Sequence, residues 1–192
     1  MTTVIVATGN PGKLKEMQAY LVELDWHLEL KPKEIEVDET GTTFLENARL
    51  KASEVAKATG KWAIADDSGL MVDALDGAPG IYSARYAKTD ADCITRLLRE
   101  LDGVTERTAQ FVCAIALARP DGSIALETEG SCPGEIATQP SGEGGFGYDP
   151  IFYVPSVGKS FAAMSSDEKH SISHRGVAFA QAMPALKSTQ LT

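Results

Sequence analysis

Apolar and polar positions along this chain switch between a two-residue and a three-to-four-residue rhythm, and the switches mark out its elements. Residues 3–7, Thr-Val-Ile-Val-Ala, are a β-branched apolar run that predicts a first strand. The turn Thr8-Gly9-Asn10-Pro11-Gly12-Lys13 follows, and Asn10 suits the N-cap of a helix with Pro11 at its first position. Leu14, Met17, Leu21 and Leu24 recur as the apolar face of that helix. Two short extended pieces, 28–30 and 35–37, bracket a Lys-Pro-Lys turn. Thr43-Phe44-Leu45-Glu46 is a capping-box pattern, opening a helix that runs through residue 58 and stops at Gly60.

Residues 62–65, Trp-Ala-Ile-Ala, predict a buried strand that delivers Asp66-Asp67-Ser68-Gly69 as a tight turn at the rim of a sheet. Residues 70–75 read as extended, followed by a Gly-Ala-Pro-Gly loop, and Ile94, Leu97, Leu98 and Leu101 predict a helix over 90–101. Segments 110–118 and 123–129 flank Pro120-Asp121-Gly122, a hairpin signal. A glycine-rich loop over 141–150 precedes a short strand, 151–154. The last helix begins near Ser173, buries Val177, Ala180 and Met183, and frays at Pro184. Helices alternate with strands early and a hairpin dominates later. That order argues for an α/β domain, a mixed twisted sheet flanked by helices, with residues 1–192 forming one domain without a separable linker.

Composition narrows the function. At 192 residues and 43% apolar content, the chain can bury one good-sized core. No stretch approaches the ~18 apolar residues of a membrane span, and the first residues carry no basic leader, so neither a membrane nor a secretory route is expected. Cys93, Cys113 and Cys132 are few, odd in number and far apart, which fits a reducing cytoplasm. The net charge of −9 repels a nucleic-acid backbone. A polyanion bound here must be small, with local cations or a divalent metal offsetting the field.

Five motifs carry chemistry. Asp66 and Asp67 end an apolar run, and side-chain alternation turns at least one of them inward, where an anion needs a partner. Glu39, in Asp38-Glu39-Thr40-Gly41, lies where a helix dipole favours an acid. It is also placed to join those acids around magnesium, which prefers oxygen ligands. Lys51 is either a solvated helix residue or a second cation for phosphate. The 8–13 turn is a strand-turn-helix anion site in which Gly9 and Gly12 expose backbone N–H groups and Lys13 reaches a terminal phosphate. It is not a Walker A loop, because Leu14 follows the lysine.

Gly144-Gly145-Phe146-Gly147-Tyr148-Asp149-Pro150 leaves room for a flat ligand beside an aromatic face. Phe146 could stack on a base and Asp149 could accept from a ring N–H; alternatively the loop is flexible and its aromatics plug the core. Lys169 precedes Ser173-His174-Arg175-Gly176, in which Ser173 suits an N-cap. Cations in a first helical turn oppose the dipole, which argues for an electron-rich ligand there.

Together these motifs resemble the inosine/xanthosine triphosphate pyrophosphatase family. The resemblance rests on the 8–13 turn, on Thr43-Phe44 with Glu46-Asn47-Ala48 and Lys51, and on Ala65-Asp66-Asp67-Ser68-Gly69 with the segment 77–86. It extends through the 144–150 loop and Ser173-His174-Arg175-Gly176, in order over nearly the whole chain. It implies cleavage of nucleoside triphosphates between the α and β phosphates, 6-keto purine substrates (ITP, dITP and XTP), magnesium, a homodimer, and two lobes with a nucleotide cleft between them. Carried over by position, Asp67 is implied as general base and metal ligand; Glu39 as its fellow metal ligand rests on the residues themselves. Thr8, Gly9, Asn10, Pro11, Gly12 and Lys13 are implied as substrate contacts, with Ser68, Phe146, Gly147, Tyr148, Asp149, Lys169, His174 and Arg175. The residues themselves leave open which of Asp66 and Asp67 takes the proton, with Lys13 and Lys51 stabilising the departing phosphates. A related pyrophosphatase acting on other modified nucleotides, or a nucleotide sensor without turnover, are the alternatives.

Overall fold

The computed structural model describes residues 2–189 and 191. Among these residues seven strands form one mixed sheet in the order β2-β1-β3-β4-β5-β6-β7. Strand β1 (Thr2–Val6) leads through helix α1 (Pro11–Tyr20) to β2 (Trp26–Leu30), and β1 pairs in parallel with both β2 and β3. Helix α2 (Phe44–Thr59) and strand β3 (Trp62–Val72) complete this α/β half. Helix α3 (Asp90–Glu100) precedes the long strands β4 (Thr108–Ala118) and β5 (Ile124–Ile136). Short antiparallel strands β6 (Phe152–Val154) and β7 (Lys159–Ser160) follow, then helices α4 (Ser166–Ile172) and α5 (His174–Ser188).

The chain divides into two compact units. The first holds the chain up to Asp67, then Cys113–Gly130, and resumes at Ala178; the second holds Ser68–Val112 and Ser131–Val177. Each has its own core. Val4, Val6, Met17, Ile64, Ile115, Phe179 and Leu186 fill the first. Leu70, Leu97, Phe111, Ile136, Phe152 and Phe161 fill the second.

Local signals act as the sequence predicts at most helix ends. Asn10 Oδ1 accepts from the amides of Gly12 and Lys13, and Thr43 Oγ1 accepts from that of Glu46. Gly60 ends α2 at φ +65°, the left-handed conformation glycine adopts without strain. The 110–118 and 123–129 segments meet in the expected hairpin, closed by Arg119 N donating to Ser123 O at 2.9 Å.

Six expectations are corrected. The Asp66-Asp67-Ser68-Gly69 tetrad is not a turn; β3 runs straight through it and ends at Val72, where a 3₁₀ turn at Asp73–Leu75 takes over the rest of the 70–75 run. Residues 35–37 join no strand, whereas the 28–30 piece is part of the edge strand 26–30. Helix α1 stops at Tyr20, so Leu24 lies beyond it. Helix α5 buries Ala178, Phe179, Ala182 and Leu186, because the bulk of Phe179 and Leu186 sets its phase; of the expected residues Val177 and Met183 are half-buried and Ala180 is exposed. Pro184 sits inside α5 and does not end it. The carbonyl it leaves unbonded belongs to Ala180, and both residues face solvent, so water can satisfy it.

Candidate active site

In the first unit, β3 presents Asp66 and Asp67 in mid-strand, which places their side chains on opposite faces of the sheet. Such a strand would not survive with bare carboxylates, and each acid meets a lysine from a different helix. Lys13 Nζ lies 3.0 Å from Asp66 Oδ2, and the Asp66 side chain is fully enclosed. Lys51 Nζ lies 2.6 Å from Asp67 Oδ1 and 2.8 Å from Glu39 Oε1, bridging the two acids.

The capping geometry of α1 puts Lys13 in place. Gly9, Asn10 and Pro11 are exposed and Thr8, Gly12 and Lys13 half-buried, but the Asn10 and Gly12 amides are taken by Thr8 Oγ1 and Asn10 Oδ1, so the expected exposed Gly12 N–H is instead spent on the cap. Lys51 lies one turn after Asn47 on α2. Asn47 is fully buried; its Nδ2 donates to Asp67 Oδ2 at 3.4 Å and its Oδ1 accepts from Gly41 N at 2.8 Å. The second bond ties the Glu39 segment to the helix. A Cβ on Gly41 would lie 2.7 Å from Asn47 Oδ1, so this closure needs glycine. Sequence reading gave Asn47 no role, although a polar residue between Phe44 and Ala48 on a buried helix face was a signal.

Burial holds the Asp67 carboxyl above its ordinary pKa and repulsion from Glu39 adds to this, while Lys51 and Lys13 pull it down without cancelling the rise. For Lys51 burial acts to lower the pKa, but Asp67, Asp66 and Glu39 outweigh it, and the ammonium is held above its usual value. Glu39 and Asp67 thus present carboxylate oxygens that already share one cation, the Lys51 ammonium. Oxygen donors of this kind suit a hard divalent ion. Among the described residues no three His, Cys, Asp or Glu side chains form a ready metal cluster, so such an ion would complete its shell with water and phosphate.

The second unit gathers the other predicted residues. Ser173 links α4 to α5, and its Oγ accepts from Gly176 N at 3.1 Å, the expected cap. A Cβ on Gly176 would lie 1.9 Å from the His170 carbonyl, so glycine lets the two helices abut. Helix α4 itself escaped sequence reading, although its signal was the Ser165–Glu168 capping box. Lys169, at its end, is buried, with Nζ 2.7 Å from Asp149 Oδ2 and 5.0 Å from the Phe146 ring centre.

Arg175 is 1% exposed, and its Nη2 donates to Ser68 Oγ at 3.1 Å. His174 is buried and stacks on Phe111, ring centres 4.7 Å apart. Phe111 had no sequence signal distinguishing it from core. Phe146 is half-buried, and its N–H donates to Asp149 Oδ2 at 2.9 Å. Asp149 therefore anchors its own loop. Tyr148 points inward, its hydroxyl donating to the Ser83 carbonyl at 2.9 Å, and burial pushes its pKa up.

This sheet, with lysine-bridged acids in mid-strand and a glycine-rich aromatic loop, has close relatives. The chain belongs to the Ham1 family, whose model matches residues 4–185. It is 64% identical over 183 residues to a dITP/XTP pyrophosphatase of Nostoc sp., covering 95% of this chain and 93% of that protein. A dITP/XTP pyrophosphatase of Synechocystis sp. is 64% identical over 179 residues, covering 93% and 92%. The solved structure of a HAM1 protein from Coxiella burnetii superposes with a TM-score of 0.90 at 42% identity, over 98% of this chain and 100% of that one.

Proposed function

We propose that this chain hydrolyses dITP, ITP, XTP and dXTP between the α and β phosphates, giving the monophosphate and pyrophosphate and so cleansing the nucleotide pool. The observation that carries the reading is the buried Asp67 carboxylate, held by Lys51 beside Glu39, in a chain 64% identical to proteins named for that activity.

Cleaving a phosphoric anhydride needs a positioned water, an acceptor for its proton and positive charge on the leaving group. Asp67 is the proton acceptor in this reading: burial raises its pKa toward the operating pH, where a general base works best. Asp66, on the other face of β3, is engaged with Lys13. Lys13 and Lys51 stabilise negative charge developing on the phosphates, and the exposed turn Gly9–Pro11 sets a helix start, with its partial positive charge, just ahead of Lys13. Glu39 and Asp67 would hold Mg²⁺, which when bound supplies Lewis acidity and neutralises phosphate charge.

Phe146 takes the purine face, with Lys169 and Asp149 fixing its loop. Arg175 and His174 read the base edge. The Arg175 guanidinium has only donors, which suits a 6-keto oxygen; the 6-amino group of adenine would set donor against donor and leave both unpaired. Cys93, Cys113 and Cys132 are buried free thiols, which supports a reducing cytoplasm as the setting. No described helix is long and apolar enough to cross a membrane. The family resemblance also implies a homodimer, which light scattering in solution decides.

The test is a panel of nucleoside triphosphates with Mg²⁺, assayed for pyrophosphate against orthophosphate. dITP and XTP should lead, with pyrophosphate as the inorganic product. Preference for dTTP or UTP would sink the reading of Arg175, and tight binding without turnover would make the chain a sensor.

A further inference from the structure

We propose that Asp90, in the first turn of α3, is a positioning residue for purine stacking: its carboxylate pins the glycine-rich loop so that the Phe146 ring is presented to the base. The inference rests on the reading of Phe146 as the stacking residue. Two peptide groups set the direction of the Phe146 side chain, the one before its Cα and the one after it. Both are held by carboxylates. Phe146 N donates to Asp149 Oδ2 at 2.9 Å, and Gly147 N donates to Asp90 Oδ2 at 2.7 Å. With both amides tethered, the backbone torsions of Phe146 are confined to a narrower range, and charge-assisted bonds of this length are among the stronger ones.

Asp90 is not spent on its own helix. Thr89 caps α3, its Oγ1 accepting from Asp92 N at 3.1 Å and donating to Asp92 Oδ2 at 2.8 Å. The Asp90 carboxylate instead reaches a loop 57 residues away in sequence. Gly147, at φ +61°, adopts the left-handed conformation that glycine takes without strain. The two anchors differ in what their loss would do. Asp149 is buried against Lys169, so replacing it strands an ammonium; Asp90 is exposed, so replacing it removes the loop bond and little else.

The experiment compares kcat and KM for dITP in the wild type, Asp90→Ala, Asp90→Asn, Phe146→Ala and the double variant Asp90→Ala/Phe146→Ala. Loss of one hydrogen bond to a charged group predicts a KM raised about tenfold in Asp90→Ala with kcat within about twofold. Asp90→Asn keeps an acceptor oxygen and should recover most of the loss. The double variant should be no worse than Phe146→Ala alone, because Asp90 has nothing left to position. Unchanged KM in Asp90→Ala, or losses that multiply in the double variant, would overturn the role of Asp90. If Phe146→Ala itself leaves KM unchanged, the stacking reading falls instead, and the role of Asp90 with it.

Discussion

Lys51 and Lys169 each lie against a buried aspartate, at 2.6 and 2.7 Å, yet their surroundings differ. Lys51 stands between Asp67 and Glu39, with Asp66 and Lys13 nearby in the same unit, so three named acids face two lysines. Lys169 meets one oxygen of Asp149, shared with the Phe146 amide, and sits over the rings of Phe146 and Phe161, while His174 and Arg175 open the next helix. This ion pair thus lies among aromatic rings, and two further cation-forming or donor side chains, His174 and Arg175, belong to the same unit. A cluster with surplus acid has use for a further cation, as a metal-bound triphosphate brings. A cluster with surplus donors and aromatic faces has use for flat rings rich in acceptor atoms, as an oxopurine brings. The same ion pair therefore serves two chemistries, decided by what surrounds it.

The sharpest way to break this contrast is Asp67→Asn. Loss of the proton acceptor should lower kcat by about 10³-fold. Its melting temperature in metal-free buffer should hold or rise, because burial already favours the neutral form of this carboxyl. The sign with pH follows. A raised pKa means that the fold takes up this proton more readily than the unfolded chain does. The stability of the wild type relative to Asp67→Asn is therefore best at low pH, and it declines as pH climbs through the raised value. Activity runs the opposite way, rising over the same window. A variant that is both inactive and clearly less stable would show that Asp67 is structural.

Lys169→Met probes the other cluster. It strands the buried Asp149 and frees the Phe146 loop, so the KM for dITP should rise by about tenfold or more, with kcat changed far less. A loss mainly in kcat would show that both lysines serve the phosphates. The smallest effect belongs to Gly145→Ala. A Cβ there would lie 1.9 Å from Asp149 Oδ2, at φ +74°, so the loop must shift at a cost of about 1–2 kcal/mol, read as a melting temperature lowered by a few degrees.

Much of this was legible in the chain. Asn10, Thr43, Gly60 and Ser173 act locally, and local signals are what a sequence displays. The fate of Asp66 and Asp67 was misread because two acids after an apolar run look like a rim. Only the arrival of Lys13 from α1 and Lys51 from α2 makes a mid-strand position tolerable, and pairing over 53 and 16 residues has no periodicity to betray it. The phase of α5 was lost for the same reason, since Phe179 stacks on Tyr20, a partner far back in the chain. Strand β7, with two residues, was too short to leave a pattern.

The first core also sets a timetable. Val4 and Val6 share it with Phe179, Ala182 and Leu186, which the ribosome makes about 175 codons later. At a synthesis rate on the order of 5–20 residues per second, β1 waits many seconds for the helix that covers it. Through that interval the half-built sheet exposes apolar surface, and a chain ending before Ala178 has Lys13, Lys51 and Asp67 but lacks the residues that finish the first core.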